Sequence, residues 1–312
     1  MALDWSFSAD RSFRRCQRAY FFKDIAAWHN GREPMRREAF VLKQLKSLDL
    51  WRGSVVHTAI QRYVVPCWQL RKAIDWDDVI CQAQQLAERQ YSFSKARRYR
   101  DGISKTKAGD DYCALVFHEQ PDGTTEEHVR ESIAGVETAL RNLSRMDDLL
   151  KHIQGRNKYL CEVPVPVTYH GVNITGQIDL MFFRGYGQPT IIDWKCYDSV
   201  SGSDANLQTA LYAWLLCKNP KWAVTNPESV ELMEVRLGTD PGAIRHVFNA
   251  RRFEELEDRI FQSVEEIRAL CGGGAYKDQD LAEYAFANNP NSCAFCAFRK
   301  LCQEAGSCLT TS

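Results

Sequence analysis

Three consecutive runs, KYLCEVPVPVTY at 158–169, VNITGQIDLMFF at 172–183 and PTIIDWK at 189–195, decide the fold of this chain. Each is rich in β-branched and aromatic residues. The turn signals His170-Gly171 and Arg184-Gly185-Tyr186-Gly187 separate them, which is the pattern of an antiparallel meander. A turn centred between Tyr186 and Gly187 sets Asp179 opposite Trp194, making Asp179 and Asp193 near cross-strand neighbours. A turn near His170 brings Glu162 within one position of Asp179. Like charges on adjacent strands repel unless a cation lies between them. Asp193 and Lys195 are two apart and leave the same face of their strand. An Asp-x-Lys pair is ordinarily a surface ion pair, but Ile191-Ile192-Asp193-Trp194-Lys195 sets these charges in an apolar strand, where charges are paired or metal-bound. Oxygen ligands clustered about an open position suit Mg²⁺ or Mn²⁺.

Around this meander the periodicity predicts helices over about 9–24, 53–65, 75–99 and 125–152 before it, and over about 203–218 and 251–270 after it, with strand-like runs near 229–237 and 243–248. The composition is that of a globular chain: 312 residues, 45% hydrophobic and 26% charged, with no low-complexity segment. No apolar run is long enough for a membrane span and the first residues lack a signal-peptide core, so the expectation is a cytoplasmic protein with no membrane partner. Forty basic against forty acidic residues give zero formal charge, so any affinity for nucleic acid must be local. Residues 1–52 carry eleven Lys/Arg against six Asp/Glu, and SKARRYRDGISKTK at 94–107 carries six bases against Asp101 alone.

Gly176-Gln177-Ile178-Asp179, Ile192-Asp193-Trp194-Lys195 and Gln208-Thr209-Ala210-Leu211-Tyr212, in this order and in a strand, strand, helix setting, resemble the motif set of the PD-(D/E)XK nucleases, RecB-like branch. Gly53-Ser54-Val55-Val56-His57 is similar to the helix motif that precedes them in that branch. The resemblance implies a restriction-endonuclease-like α/β fold, a mixed sheet flanked by helices. It also implies that Asp179 and Asp193 bind the metal, that Lys195 is the catalytic lysine, that His57 lies at the metal and that Gln208 and Tyr212 face the active site or the DNA backbone. A lone histidine beside Val56 and Ile60 is ordinarily a core or surface residue; the motif order turns that reading. Glu162 is a further candidate site residue.

Cys293, Cys296 and Cys302 form a C-x2-C-x5-C tail that needs one more ligand for a four-thiolate site. Cys308 is near in sequence. Cys16, in SFRRCQRAYFF, matches the RecB-like nucleases that carry a [4Fe-4S] cluster, one cysteine ahead of the nuclease core and three behind it. Four thiolates also suit Zn²⁺. The other seven cysteines read as ordinary thiols.

The division expected is an N-terminal helical part (1–65), a helical insertion or cover (66–155), the nuclease core (156–290) and a cluster tail (291–312). Arg97, Arg98 and Arg100, with Tyr91, Phe93 and Tyr99 nearby, are candidates for phosphate contacts and base stacking on single-stranded DNA. The function implied is an Mg²⁺- or Mn²⁺-dependent deoxyribonuclease, an exonuclease rather than an endonuclease, in repair, recombination or CRISPR adaptation. The alternative is a nuclease-inactive DNA-binding or complex-assembly module with a structural metal cluster. No G-x-x-x-x-G-K-[ST] occurs, so unwinding would come from a helicase partner.

Overall fold

The computed structural model describes residues 3–120, 123–196, 203–272, 276–289 and 291–305; Cys308 lies outside them. A six-stranded mixed sheet is built from β1 (Leu3–Trp5), β2 (Tyr159–Tyr169), β3 (Val172–Gly185), β4 (Gln188–Lys195), β5 (Glu231–Arg236) and β6 (Gly242–His246). The meander β2-β3-β4 is antiparallel, β5 adds to β4 in parallel, and β6 returns antiparallel beside β5. The short β1 runs parallel to the first part of β3. This is the expected α/β architecture, a mixed sheet flanked by helices.

Helices cover both faces, among them α1 (Phe7–Arg15), α2 (Leu48–Ala59), α3 (Trp76–Lys95), α4 (Glu126–Ser144), α5 (Ser203–Lys218) and α6 (Ala250–Cys271). On one face Val165, Ile174, Ile178, Ile191 and Leu232 pack with Phe13, Trp214, Leu215, Ile260 and Val264 of α1, α5 and α6. On the other, Leu180, Phe182, Ile192, Trp194 and Val235 pack with Val55, Val56, Leu86 and Leu140 of α2, α3 and α4. The helices of 66–155 therefore share a core with the sheet rather than folding apart from it. A buried carboxylate clasps the first face: Asp10 of α1 accepts from Ser263 (2.6 Å) and Arg259 (3.2 Å) of α6 and from Arg14 (2.9 Å), while Trp5 donates to Ser263 (2.9 Å).

Two departures from the sequence reading bear on function. The tight turn lies where expected, pairing Gly185 with Gln188, but a bulge between Phe183 and Gly185 shifts the ladder so that Leu180 faces Ile192. Continued by one residue, that register sets Asp179 against Asp193 rather than Trp194. The β2–β3 register likewise brings Glu162 level with Asp179, between the pairs Cys161–Leu180 and Val163–Ile178. Here both strands change faces: Val163 and Ile178 belong to one core, Cys161 and Leu180 to the other. Glu162 sits at φ 50°, a left-handed conformation that a glutamate adopts only at a cost of order 1–3 kcal/mol. The second departure is at Cys16, whose extended backbone (φ −167°) ends α1 and interrupts the helix expected over 9–24.

Candidate active site

The face change delivers two carboxylates to one point, and α2 delivers a histidine. His57 Nδ1 lies 3.6 Å from Glu162 Oε1 and 3.7 Å from Asp179 Oδ1. Among the described residues, these three are the one group of His, Cys, Asp or Glu donors whose ligand atoms all fall within 4.8 Å of one another. Each is fixed from behind. His57 Nε2 is 3.2 Å from the carbonyl oxygen of Trp194, which can only accept, so Nε2 carries the proton and Nδ1 faces the carboxylates. Asp179 Oδ2 accepts from the Trp194 backbone N–H at 2.8 Å, and Glu162 Oε2 accepts from Gln177 Nε2. The outer oxygens are occupied and the inner pair, Oδ1 and Oε1, converge. A helix turn widens into π geometry at Ile60, just after His57, a local feature frequent at functional sites.

Burial, reinforced by the charges of Asp193 and Glu162 and opposed by His57 and the Trp194 N–H, pushes the Asp179 carboxyl up to about 7. Burial works against the His57 imidazolium, but Asp179, Cys196 and Glu162 outweigh it and hold its pKa well above the ordinary histidine value. Such a cluster is short of positive charge. Asp193, 3% exposed, instead has its cation beside it, with Lys195 Nζ 2.6 Å from Oδ2.

These groups line an open cavity of about 490 Å³, together with Lys46, Ser54, Thr58, Gln61 and Gln208. Gln208 reaches the cavity and donates to the Tyr212 hydroxyl at 2.9 Å. Tyr212 is buried in the core, so it supports Gln208 instead of facing solvent; its hydroxyl is held far from ionisation, by burial first and then by Asp193 and Asp179. Tyr212 and Leu215 lie over Gly176, where an added Cβ would stand 2.8 Å from Leu215 Cδ1. Sequence reasoning missed Lys46, whose one signal was the basic surplus of residues 1–52.

Residues 16–22 pack against 284–298, where, among the described residues, no three cysteine sulfurs come within 4.8 Å of one another. Arg18 Nε donates to Tyr284 O at 3.0 Å, Gln17 accepts from the Ala285 N–H at 2.9 Å, and Phe22 stacks on Phe298. Cys16, Cys296 and Cys302 pack on the same core. Burial raises the Cys296 pKa, and the nearby Cys16 and Cys293 add to the rise.

The arginine segment is engaged internally. Arg100 forms paired hydrogen bonds with both Glu38 (2.9 and 3.0 Å) and Glu119 (2.6 and 2.7 Å), Arg97 donates to His118 O, and Arg98 lies over the Phe93 ring. Phe93 and Tyr99 are buried, which withdraws both rings from the base stacking expected of them.

The profile of the PD-(D/E)XK nuclease superfamily matches residues 4–303. The chain belongs to the PD-(D/E)XK nuclease superfamily. It is thus a nuclease, of a superfamily that acts on DNA with divalent metal ions. Two solved structures are similar to this nuclease. One is a candidate exonuclease from Eubacterium rectale, 10% identical with a TM-score of 0.40, covering 90% of this chain and 95% of that one. The other is SSO0001, 13% identical with a TM-score of 0.28, covering 58% of this chain and 77% of that one. No curated protein matches. No helix among the described residues is long and apolar enough to cross a membrane.

Proposed function

We propose that this nuclease belongs to the RecB-like branch and shortens single-stranded DNA from an end, in repair, recombination or CRISPR adaptation, with unwinding supplied by a helicase partner. The observation that carries the reading is the convergence of His57, Glu162 and Asp179 in an open cavity whose wall also bears the Asp193–Lys195 pair. Two carboxylate oxygens and one imidazole nitrogen, with surplus negative charge and restrained outer atoms, fit Mg²⁺ or Mn²⁺. His57, Glu162 and Asp179 would hold the ion; Asp193, expected as a ligand from the resemblance, is paired with Lys195 and would stand beside it. When bound, that ion supplies Lewis-acid stabilisation of the attacked phosphate and activation of water.

The remaining chemistry belongs to the side chains. Asp193 holds the Lys195 ammonium at the cavity wall, where it neutralises charge developing on the phosphate oxygens or orients the attacking water. Gln208, steadied by Tyr212, offers an amide to the substrate backbone. Arg97 and Arg98 remain proposed contacts for more distant phosphates; Arg100 would act there only by leaving its two glutamates.

We propose further that Cys16, Cys293, Cys296 and Cys302 hold a [4Fe-4S] cluster with a structural role. The proximity of Cys16 to Cys296, and the extended break that sets Cys16 between two helices, support this. On the same reading, 1–65 and 156–290 form the nuclease unit, 66–155 the wall over one face and 291–312 the staple. Incubating the wild type and Mn²⁺ with single-stranded DNA labelled first at the 5′ and then at the 3′ end tests the activity. Stepwise loss from one end is expected; internal cuts alone would refute the exonuclease assignment.

A further inference from the structure

The active-site cavity does not end at the metal-binding trio. A second cavity, of about 180 Å³, adjoins it and shares Lys46, Ser54 and Thr58 as a common wall. Gln44, Lys105, Asp110, Tyr112 and Cys113 are among the residues that line the rest of it. Lys46 is held at the junction by its own backbone: its N–H donates to Ala114 O at 2.8 Å and its carbonyl accepts from Val116 N at 3.0 Å. The side chain is tethered as well, since Nζ donates to Ser54 Oγ at 2.7 Å, which uses one of the three donors an ammonium carries.

The two basic segments of the sequence meet here, not at the arginines. Lys46 comes from residues 1–52 and Lys105 from 94–107, separated in sequence but lining one cavity. Lys105 also lies against the Tyr112 ring, 5.7 Å from its centroid. The carboxylate on this wall, Asp110, is taken by Arg62 at 3.0 Å. Burial lowers the pKa of Lys46, and Lys105 lowers it further; Lys105 is lowered by burial and by the proximity of Lys43. Two lysines that line one cavity, whose carboxylate is already paired with Arg62, form a site for a polyanion. Lys46 lines the same cavity as His57, Glu162 and Asp179, so the array begins beside the place where the scissile phosphate would sit.

We propose that Lys46 and Lys105 hold the DNA phosphates next to the scissile one, so that the substrate strand runs from the metal-binding cleft across Lys46 into the adjoining cavity. The inference rests on the nuclease reading and adds to it a direction for the strand and two positioning residues. Lys46, tethered and half-buried, sets the nearest phosphate; Lys105, exposed at the far side, contributes charge to the next.

The test is binding of a labelled oligodeoxythymidylate in EDTA, followed by fluorescence anisotropy across a range of NaCl concentrations, for the wild type, Lys46→Met, Lys105→Ala and, as a control, the exposed Lys72→Ala, which lines neither cavity. Lys46→Met retains the apolar stem, and the exposed Lys105 can be replaced without disturbing the core. Each cavity variant is expected to lose about tenfold in affinity and to flatten the salt slope by about 0.7, the increment for one phosphate contact on a single strand, while the control stays at wild type. Mn²⁺-dependent cleavage by the same proteins should show KM raised more than kcat is lowered. Wild-type cleavage with unchanged slopes in both cavity variants would overturn the track and leave the nuclease reading intact. Lysine-dependent binding without wild-type cleavage would uphold the track and overturn the nuclease activity.

Discussion

Gly176→Ala tests how tightly the catalytic strand is set. Gly176 lies on β3 three residues before Asp179, beneath α5, and an alanine Cβ there would stand 2.8 Å from Leu215 Cδ1 and 3.3 Å from Tyr212 Cε1. Leu215 is fully buried and Tyr212 is 4% exposed, so neither can swing aside, and strand and helix must separate by about 0.6 Å to regain ordinary contact. Overpacking of this kind destabilises by about 1–3 kcal/mol. At roughly 2 °C per kcal/mol for a large domain, Tm falls by about 2–6 °C. The same displacement moves Asp179 against Asp193 and Gln208; because a misplacement of about 1 Å can cost a hundredfold, kcat should fall by roughly tenfold or more. Adding Leu215→Ala removes the clashing methyl, so the double variant should recover most of the lost kcat while still carrying the cost of its own truncation, a coupling of about 1 kcal/mol or more. The assays are thermal unfolding by circular dichroism and steady-state cleavage of labelled single-stranded DNA. A Gly176→Ala protein with wild-type Tm and kcat, or a double variant whose losses simply add, would show that the close approach of Leu215 to Gly176 does not set the catalytic strand.

Other consequences follow from particular contacts. Asp10→Ala removes the shared acceptor of Ser263, Arg14 and Arg259; because both arginines stay partly exposed and Arg14 keeps Glu266, the cost is that of the buried hydrogen bonds, about 1–3 kcal/mol, and a measurable drop in Tm is expected, whereas an unchanged melting curve would show that this contact does not clasp α1 to α6. Cys296→Ser should abolish the brown chromophore and bound iron of the purified protein and lower its Tm, whereas wild-type protein holding zinc in place of iron and sulfide would contradict the cluster. Burial raises the pKa of Glu119, but Arg100 and Tyr99 outweigh it and hold the carboxyl below its ordinary value. A depressed folded pKa means stabilisation that is complete above the unfolded value near 4.5 and lost as the pH falls through the folded one. Arg100→Ala should therefore lower Tm at neutral pH and lower it much less in acid, as thermal melts across the acid range would show; an equal effect at every pH would argue against the ion pair.

That Asp179, Asp193 and Lys195 fall close together on adjacent strands was legible in the sequence, because strand alternation and turn position are local properties; their cross-strand register was not. What was not legible depended on contacts between distant segments. The bulge after Phe183 and the left-handed backbone of Glu162 arise where two cores exchange faces of the same strands, and the continuous apolar run from Leu180 to Phe183 disguises that exchange. Cys16 leaves the helical path where Tyr284 and Ala285 dock, residues far along the chain. Arg100 looked available for phosphate because its partners, Glu38 and Glu119, are remote in sequence. Lys46 carried no motif, and only its placement between two cavities gives it a role.

On this reading the carboxylate cluster and Lys195 cut DNA with the help of a divalent ion. Cleavage of end-labelled single-stranded DNA with Mn²⁺ by wild type, Asp179→Asn and Lys195→Met, each checked for an intact melting transition, tests it most directly. Metal-dependent shortening by the wild type, abolished by EDTA, is expected, with a loss of about 10²–10⁴-fold or more in each variant. Wild-type rates in either folded variant, or cleavage that persists in EDTA, would contradict it.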